Sequence, residues 1–474
     1  MERSSTHKTA TKTQLATINK ALYFKSFHFF VSNCLGLSVA PFHKEIIQNL
    51  TNKKLVVVAP RGHGKSEMIA VSYALWTAFK SEEAKCILIV SATEKQATHI
   101  LERIKNYIED IPLLNSLLKP EAIHTTKWAG TEIKCKNGCK IMVYPLASSV
   151  RGEHVDLCIC DDILKDEVGT HEKSKQFFTE IIRPTVNTKK GQLVVVGTPQ
   201  SYVDLLADLS DPELAPDWKA LRYKAVIVDA KGEWDKALWA ERFSLDELRA
   251  IKAGMGSAAW SKEYMCEPIS SGTALYPWEL VSSCINKKIE QLSEGKKNKN
   301  YYLGVDVALS EKASADYTVM IVGEQSAENQ PLRVVRVERM KGWGSDRLMA
   351  KLIDLHGAFQ FKKAILEQMG VSYDLATQLT QHPLCRSSFE GFTTTRNNKE
   401  KILSGLEIIM RNKQLEFPKN DTLIEEMLSF GIKDHASGKQ TYEALGKHDD
   451  TVIALALMVE ASKGNSGKLS VSFI

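Results

Sequence analysis

Apolar residues along this chain cluster into short β-branched runs, separated by longer segments in which they recur every three or four positions. LVVVA at 55–59, CILIVS at 86–91, LCIC at 157–160 and LVVVG at 193–197 are unbroken apolar runs of strand length. Such runs predict strands covered on both faces. Residues 67–80 and 94–109 carry helical spacing, as does 15–50 with an interruption at Pro41. Residues 133–144 predict a hairpin turning at Asn137-Gly138, and 221–228 one more strand. Strands alternating with helices predict an α/β domain with a largely parallel sheet.

The pattern breaks at 286–300, a lysine-rich stretch with little to bury, and then resumes. Strands are predicted at 301–307, 317–323, 332–339 and 363–366, and helices at 348–356, 373–381, 399–410 and 451–461. Residues 432–445 predict a second hairpin, turning at Ser437-Gly438. The reading is therefore a first domain over 1–285, a linker over 286–300, a second domain over 301–462 and a Gly/Ser-containing tail over 463–474.

Composition narrows this only a little. The chain has 474 residues, 43% hydrophobic and 25% charged, with a net charge of +5. It suits two globular domains and permits a polyanionic partner without demanding one. Nine cysteines, an odd number, argue against a complete disulfide framework. Cys135 and Cys139 flank the Asn-Gly turn and read as hairpin residues, since no second Cys or His pair stands at zinc-site spacing. No apolar stretch approaches the ~18 residues of a membrane helix, so no membrane association is expected.

The run after LVVV is Ala59-Pro-Arg61-Gly62-His63-Gly64-Lys65-Ser66, followed by a predicted helix. This is GxxxxGK[ST] with Ala in place of the first Gly. Backbone N–H groups of a tight loop at a helix start cradle phosphate. In that reading Arg61, Gly62, His63 and Gly64 shape the loop, Lys65 reaches the outer phosphates of ATP, and Ser66 ligates Mg²⁺. The second carboxylate such a site needs is Asp161, at the end of LCIC, with Asp162 as the base that polarises the attacking water. Glu167 is the alternative base. Thr198, after LVVVG, is placed to sense the γ-phosphate. CILIVS falls between the two motifs, which implies an extra strand between them and the RecA-like, additional-strand class of P-loop ATPase. Only one such core is present, so sites completed in trans within an oligomer are expected. Arg151, ten residues before Asp161, is a candidate trans arginine finger, with Arg61 as the alternative.

The second domain carries carboxylates at strand ends and a helix start. They are Asp306 in LGVDVA, Asp316 before YTVMIVG, Glu367 in AILE, and Asp449-Asp450 in KHDDTVIALA. Clustered acids repel one another and persist when divalent cations neutralise them. The ordered set fits an RNase H-like nuclease that uses two Mg²⁺ or Mn²⁺ ions. Of the aspartate pair, Asp450 is preferred as ligand and Asp449 as cap or partner.

Taken together, the P-loop, the acidic strand end, the GTP-type coupling motif and the Asp…Glu…HDD set resemble the large subunit of tailed-phage terminases over roughly residues 40–460. VRGEHVDLCICDD and HDDTVIALALM carry the likeness most specifically. The resemblance implies ATP-driven movement of double-stranded DNA into a viral procapsid and endonucleolytic cutting of concatemers. It implies a homo-oligomeric, pentameric ring on the portal protein, a small terminase subunit as partner, and a place in the host cytoplasm, docked transiently on the procapsid and absent from the mature virion. Pro41-Phe42-His43 stands where the family has its adenine-side motif, without the usual Gln. A cellular repair ATPase-nuclease and a non-catalytic DNA-binding scaffold are the rival readings.

Overall fold

The computed structural model describes residues 12–121, 128, 130–146, 154–164, 170–268, 274–308, 317–327, 330–368, 372–434, 440–444 and 448–463. The chain forms two compact units, Met1–Pro268 and Ile269–Ile474. The division thus falls ahead of position 285. The helix Trp278–Ser283 packs against the helices Arg396–Arg411 and Asp421–Ser429 of the second unit. The lysine-rich 286–300 segment is not a free tether either. Its backbone N–H groups at Asn286, Leu292 and Gly295 donate to the carbonyls of Phe417, Val335 and Ala358.

The first unit is built on a seven-stranded sheet: β1 (Lys54–Val58), β2 (Cys86–Ser91), β3 (Glu132–Lys134), β4 (Lys140–Pro145), β5 (Leu157–Asp161), β6 (Gln192–Gly197) and β7 (Lys219–Arg222). The order is β3-β4-β2-β5-β6-β1-β7, parallel throughout except for β3 against β4. Val57, Ile89, Ile159 and Val196 enter the core on one face, while Val56, Val58, Cys158 and Val195 enter that on the other. Burial on both faces is why these strands read as unbroken apolar runs.

Two expectations need correction here. The strand between the P-loop strand and β5 is β6, which carries Thr198, and not CILIVS. CILIVS is β2, on the far side of β5. The additional-strand plan stands, but order in sequence does not fix order in the sheet. The predicted strand 221–228 is also two pieces. After β7 the chain leaves the large sheet, and β8 (Val226–Val228) pairs with β9 (Trp234–Ala237).

The second unit has a six-stranded sheet: β10 (Asn300–Asp306), β11 (Thr318–Gln325), β12 (Leu332–Met340), β13 (Lys363–Glu367), β14 (Phe389–Phe392) and β15 (Leu415–Glu416). Its order is β14-β13-β10-β11-β12-β15. β10, β11 and β12 are antiparallel neighbours, whereas β13 runs parallel to β10. The helix Ser345–Phe359 covers one face through Leu348, Leu352 and Leu355. The final helix, Asp450–Ser462, lies against β10, β11 and β13 on the other. Eleven of its residues are buried, all but Asp450 and Thr451 apolar, so it has no solvent face to pattern. Gly304 makes the approach possible: a Cβ there would stand 2.1 Å from the Ala454 carbonyl oxygen and 2.3 Å from the Met458 nitrogen. The expected hairpin is present as β16 (Phe430–Asp434) and β17 (Gln440–Ala444), while its turn at Ser437-Gly438 lies outside the described residues.

Candidate active sites

Parallel pairing brings Val58, Gly197 and Asp161 to one edge of the first sheet. Val58 is opposite Gly197, and Val196 is opposite Asp161. The loop after β1 turns through Gly62 and Gly64 at φ +76° and +73°, a region L side chains avoid. The helical run then starts at Ser66, π-wound over Ser66–Tyr73 and α-helical over Ala74–Lys80. The Lys65 ammonium is buried. It donates to Thr198 Oγ1 at 2.9 Å and lies 3.4 Å from an Asp162 oxygen. Thr198 passes a bond on to the Ala59 carbonyl at 3.2 Å, and its N–H donates to Asp162 at 3.1 Å. The Ser66 hydroxyl donates to Asp161 at 2.9 Å. Burial pushes the Asp161 carboxyl up to about 7. The Asp162 charge adds to this, and Ser66 and Lys65 oppose it. Asp162 sits at φ +45°, a left-handed backbone that aspartate tolerates better than most residues. Its bonds to Thr198 and Lys65 hold it there.

The loop side chains divide by role. Arg61 is exposed, with its N–H on the Glu263 carbonyl and its guanidinium 3.9 Å from the Glu263 carboxylate. His63 is fully buried and points under the loop, so only its backbone can face a ligand. Its Nδ1 lies 2.9 Å from the Arg61 carbonyl, and its ring stacks on Phe243. His43 completes the underside. Its Nδ1 accepts from the Ala40 N–H at 3.1 Å, which leaves Nε2–H to donate to the His63 carbonyl at 3.0 Å. Phe42-His43 therefore braces the phosphate loop from below. Gln200 and Ser201 N–H groups donate to buried Asp204, which also accepts from Ala207. That anchors the turn after Thr198, and sequence reasoning missed it. Arg151 and Glu167 lie outside the described residues.

In the second unit Asp306 ends β10 and Glu367 ends β13, its parallel neighbour. Asp450 opens the final helix, buried, and accepts from the Tyr317 N–H at 3.4 Å. Asp306 is driven well above the usual carboxylate range. Burial does most of this, followed by a hydrogen bond to Glu367 and the charges of Glu367, Asp450 and Asp449. Asp449 pairs with Lys399 at 2.8 Å and makes no side-chain cap bond. Of the two aspartates, then, Asp450 is the one buried against Asp306 while Asp449 is engaged by a cation. Asp316 lies outside the described residues. A further acid, Glu426, is buried and accepts from the Thr451 N–H at 2.8 Å and from its hydroxyl, with Arg339 at 3.5 Å. Its position among Leu423, Ile424 and Met427 on the buried side of a helix was the sequence signal for it.

The family described as "Terminase large subunit, T4likevirus-type, N-terminal" matches residues 56–283. The terminase large subunit of Thermus virus P23-45 is 21% identical over 462 residues, 91% of this chain and 89% of that protein. Over 56–283, just under half of its length, the chain matches the phage terminase large-subunit family. The family comprises DNA-packaging ATPases with a nuclease domain. The terminase large subunit of Enterobacteria phage T3 is 25% identical over 291 residues, 54% of this chain, and the match spans only about half, 49%, of the T3 protein. The HK97 bacteriophage large terminase structure aligns over 90% of this chain and 95% of its own, with a TM-score of 0.46 at 14% identity. The magnesium-bound nuclease of the phage G20c large terminase aligns over 40% of this chain and 98% of its own, with a TM-score of 0.35 at 22% identity.

Both sites suit hard divalent cations on donor chemistry. Ser66 and the buried Asp161 carboxyl offer oxygen donors, and burial together with the Asp162 charge disfavours an unneutralised anion there. Asp306 and Glu367 share a hydrogen bond, as two acids do when nothing else neutralises them. Among the described residues, no three His, Cys, Asp or Glu side chains already surround one point closely enough to hold a metal ion. Cys135 and Cys139 are both buried, consistent with a hairpin role. No described helix is long and apolar enough to cross a membrane.

Proposed function

We propose that the first unit hydrolyses ATP to drive double-stranded DNA into a viral procapsid and that the second cuts concatemeric DNA. The observation that carries this is the convergence of Lys65, Ser66, Asp161, Asp162 and Thr198 at one sheet edge, from three separate strand ends. In this reading the loop N–H groups and Lys65 bind the phosphates of ATP, and Ser66 and Asp161 hold its Mg²⁺. The cation would neutralise phosphate charge. Asp162, kept in place by Lys65 and the Thr198 N–H, takes the proton of the attacking water. Thr198 bonds to both Lys65 and the β1 end, so it couples that site to the Gln200–Asp204 turn. Arg151, or else Arg61, serves as arginine finger between subunits of a homo-oligomeric, pentameric ring.

In the second unit Asp306, Glu367 and Asp450 are the proposed ligands of two Mg²⁺ or Mn²⁺ ions, which would supply charge neutralisation at a scissile phosphate. Lys399 restrains Asp449 beside them. DNA, the portal protein and a small terminase subunit are the proposed partners, in the host cytoplasm. The test uses the full chain with plasmid DNA. Lys65→Ala should lower ATP hydrolysis by about 10²-fold or more while metal-dependent cleavage continues. Asp306→Asn should do the reverse. Joint loss of both activities in either variant, with folding intact, would overturn the division of labour.

A further inference from the structure

The edge of the first sheet opposite the phosphate loop, where β1 and β6 begin, carries a recess of about 550 Å³. Lys25, His28, Lys53, Lys80 and Lys190 line it, and no Asp or Glu does. Among the described residues none of the four ammonium groups has a carboxylate partner, and the Lys53 ammonium donates to the Lys189 carbonyl. Neutral polar groups of the floor are already bonded to one another. Gln192 donates to the carbonyls of Leu50 and Asn52, the Tyr73 hydroxyl donates to Gln192, and the Trp76 indole donates to the Tyr23 carbonyl. What the recess has left to offer a ligand is positive charge.

We infer that this recess docks an extended acidic polypeptide segment, rich in Asp and Glu, from a partner protein. The aromatic rings of its floor, Phe27, Tyr73 and Trp76, are 5%, 7% and 9% exposed, so they offer no open face for stacking bases. A duplex is too wide to enter a recess of about 550 Å³, whereas a single peptide chain can. Lys80 gives the site a reporter. Its ammonium lies 3.5 Å from the centre of the Trp76 ring, and burial, with the nearby Lys85 charge, pushes it down to about 8. A bound carboxylate reverses that push, so docking near pH 8 draws a proton onto Lys80.

The test measures fluorescence anisotropy of a labelled ten-residue Asp/Glu peptide with the full chain at low salt, beside a labelled duplex and with inorganic phosphate as competitor. The double variant Lys53→Glu, Lys190→Glu should weaken peptide binding by about tenfold or more, since two favourable exposed pairs become repulsive. Its ATPase rate should not change. Lys80→Met keeps the stem over Trp76 and should abolish the proton uptake seen by calorimetry at pH 8. Unchanged peptide affinity in the double variant overturns the proposal. So does loss of duplex binding with peptide binding retained, or displacement of the peptide by phosphate at equal charge.

Discussion

His63 lets the phosphate loop be interrogated by pH. Burial pushes its imidazole down to about 4. The charges of Lys65, His43 and Arg242 add to that, and the Arg61 carbonyl works against it. The ring is therefore neutral in the fold at pH values where the unfolded chain would protonate it. Between about 4 and an ordinary value near 6.5 the unfolded state binds the extra proton, so the stability tied to His63 is full above that upper value and drains away as pH falls. The whole shift is worth about 3 kcal/mol, and integrating over the window places about 2 kcal/mol of loss between pH 7 and pH 5. His63→Gln retains a polar side chain under the loop but removes the titration. Denaturant unfolding of the full chain, followed by tryptophan fluorescence since Trp239 packs against Gly64, should show wild-type stability falling between those pH values by about 2 kcal/mol more than the variant. His43 titrates in both proteins and cancels. Parallel slopes would refute the buried, neutral assignment.

Three other outcomes are expected. Thr198→Val removes the hydroxyl that accepts from Lys65; a buried hydrogen bond to a charged group is worth about 1.5–3 kcal/mol, so ATP turnover should fall by about 10–100-fold, measured by phosphate release. Gly304→Ala forces a methyl group into the final helix and should destabilise the second unit by about 3 kcal/mol or more, lowering its melting transition while ATPase activity persists. Glu367→Ala should abolish plasmid cleavage in Mg²⁺ or Mn²⁺, as EDTA should for the wild type; cutting that survives chelation would remove the metal from the reading.

The phosphate loop was legible because its spacing encodes its geometry: the two glycines and Lys65-Ser66 are what such a loop requires locally. Thr198 was legible for a related reason, since a polar residue ending an apolar run marks a strand's exit. Sheet order was not legible. CILIVS and LVVVG are equally apolar, and nothing local says which of them lies beside β1. Composition marked 286–300 as a solvated stretch, which it largely is, but could not show its tie to the second unit, which runs through backbone N–H groups. Glu426 was passed over because a glutamate in a helix ordinarily faces water, and only its apolar neighbours at 423, 424 and 427 hinted otherwise.

Gly304 makes the second site depend on a helix that comes late in the chain. The acid at 306 stands near the start of the second unit's sheet, and its companion at 450 arrives only with the helix that Gly304 admits. Synthesis runs from the N-terminus and domains fold as units, so every residue of the phosphate-loop site has left the ribosome more than two hundred residues before Asp450 does. A growing chain therefore completes its ATPase fold while the acidic cluster still lacks a member. A product truncated before that helix would carry the proposed ATPase site without a complete acidic cluster, and the proposed DNA-cleaving activity is withheld until Asp450 has been made.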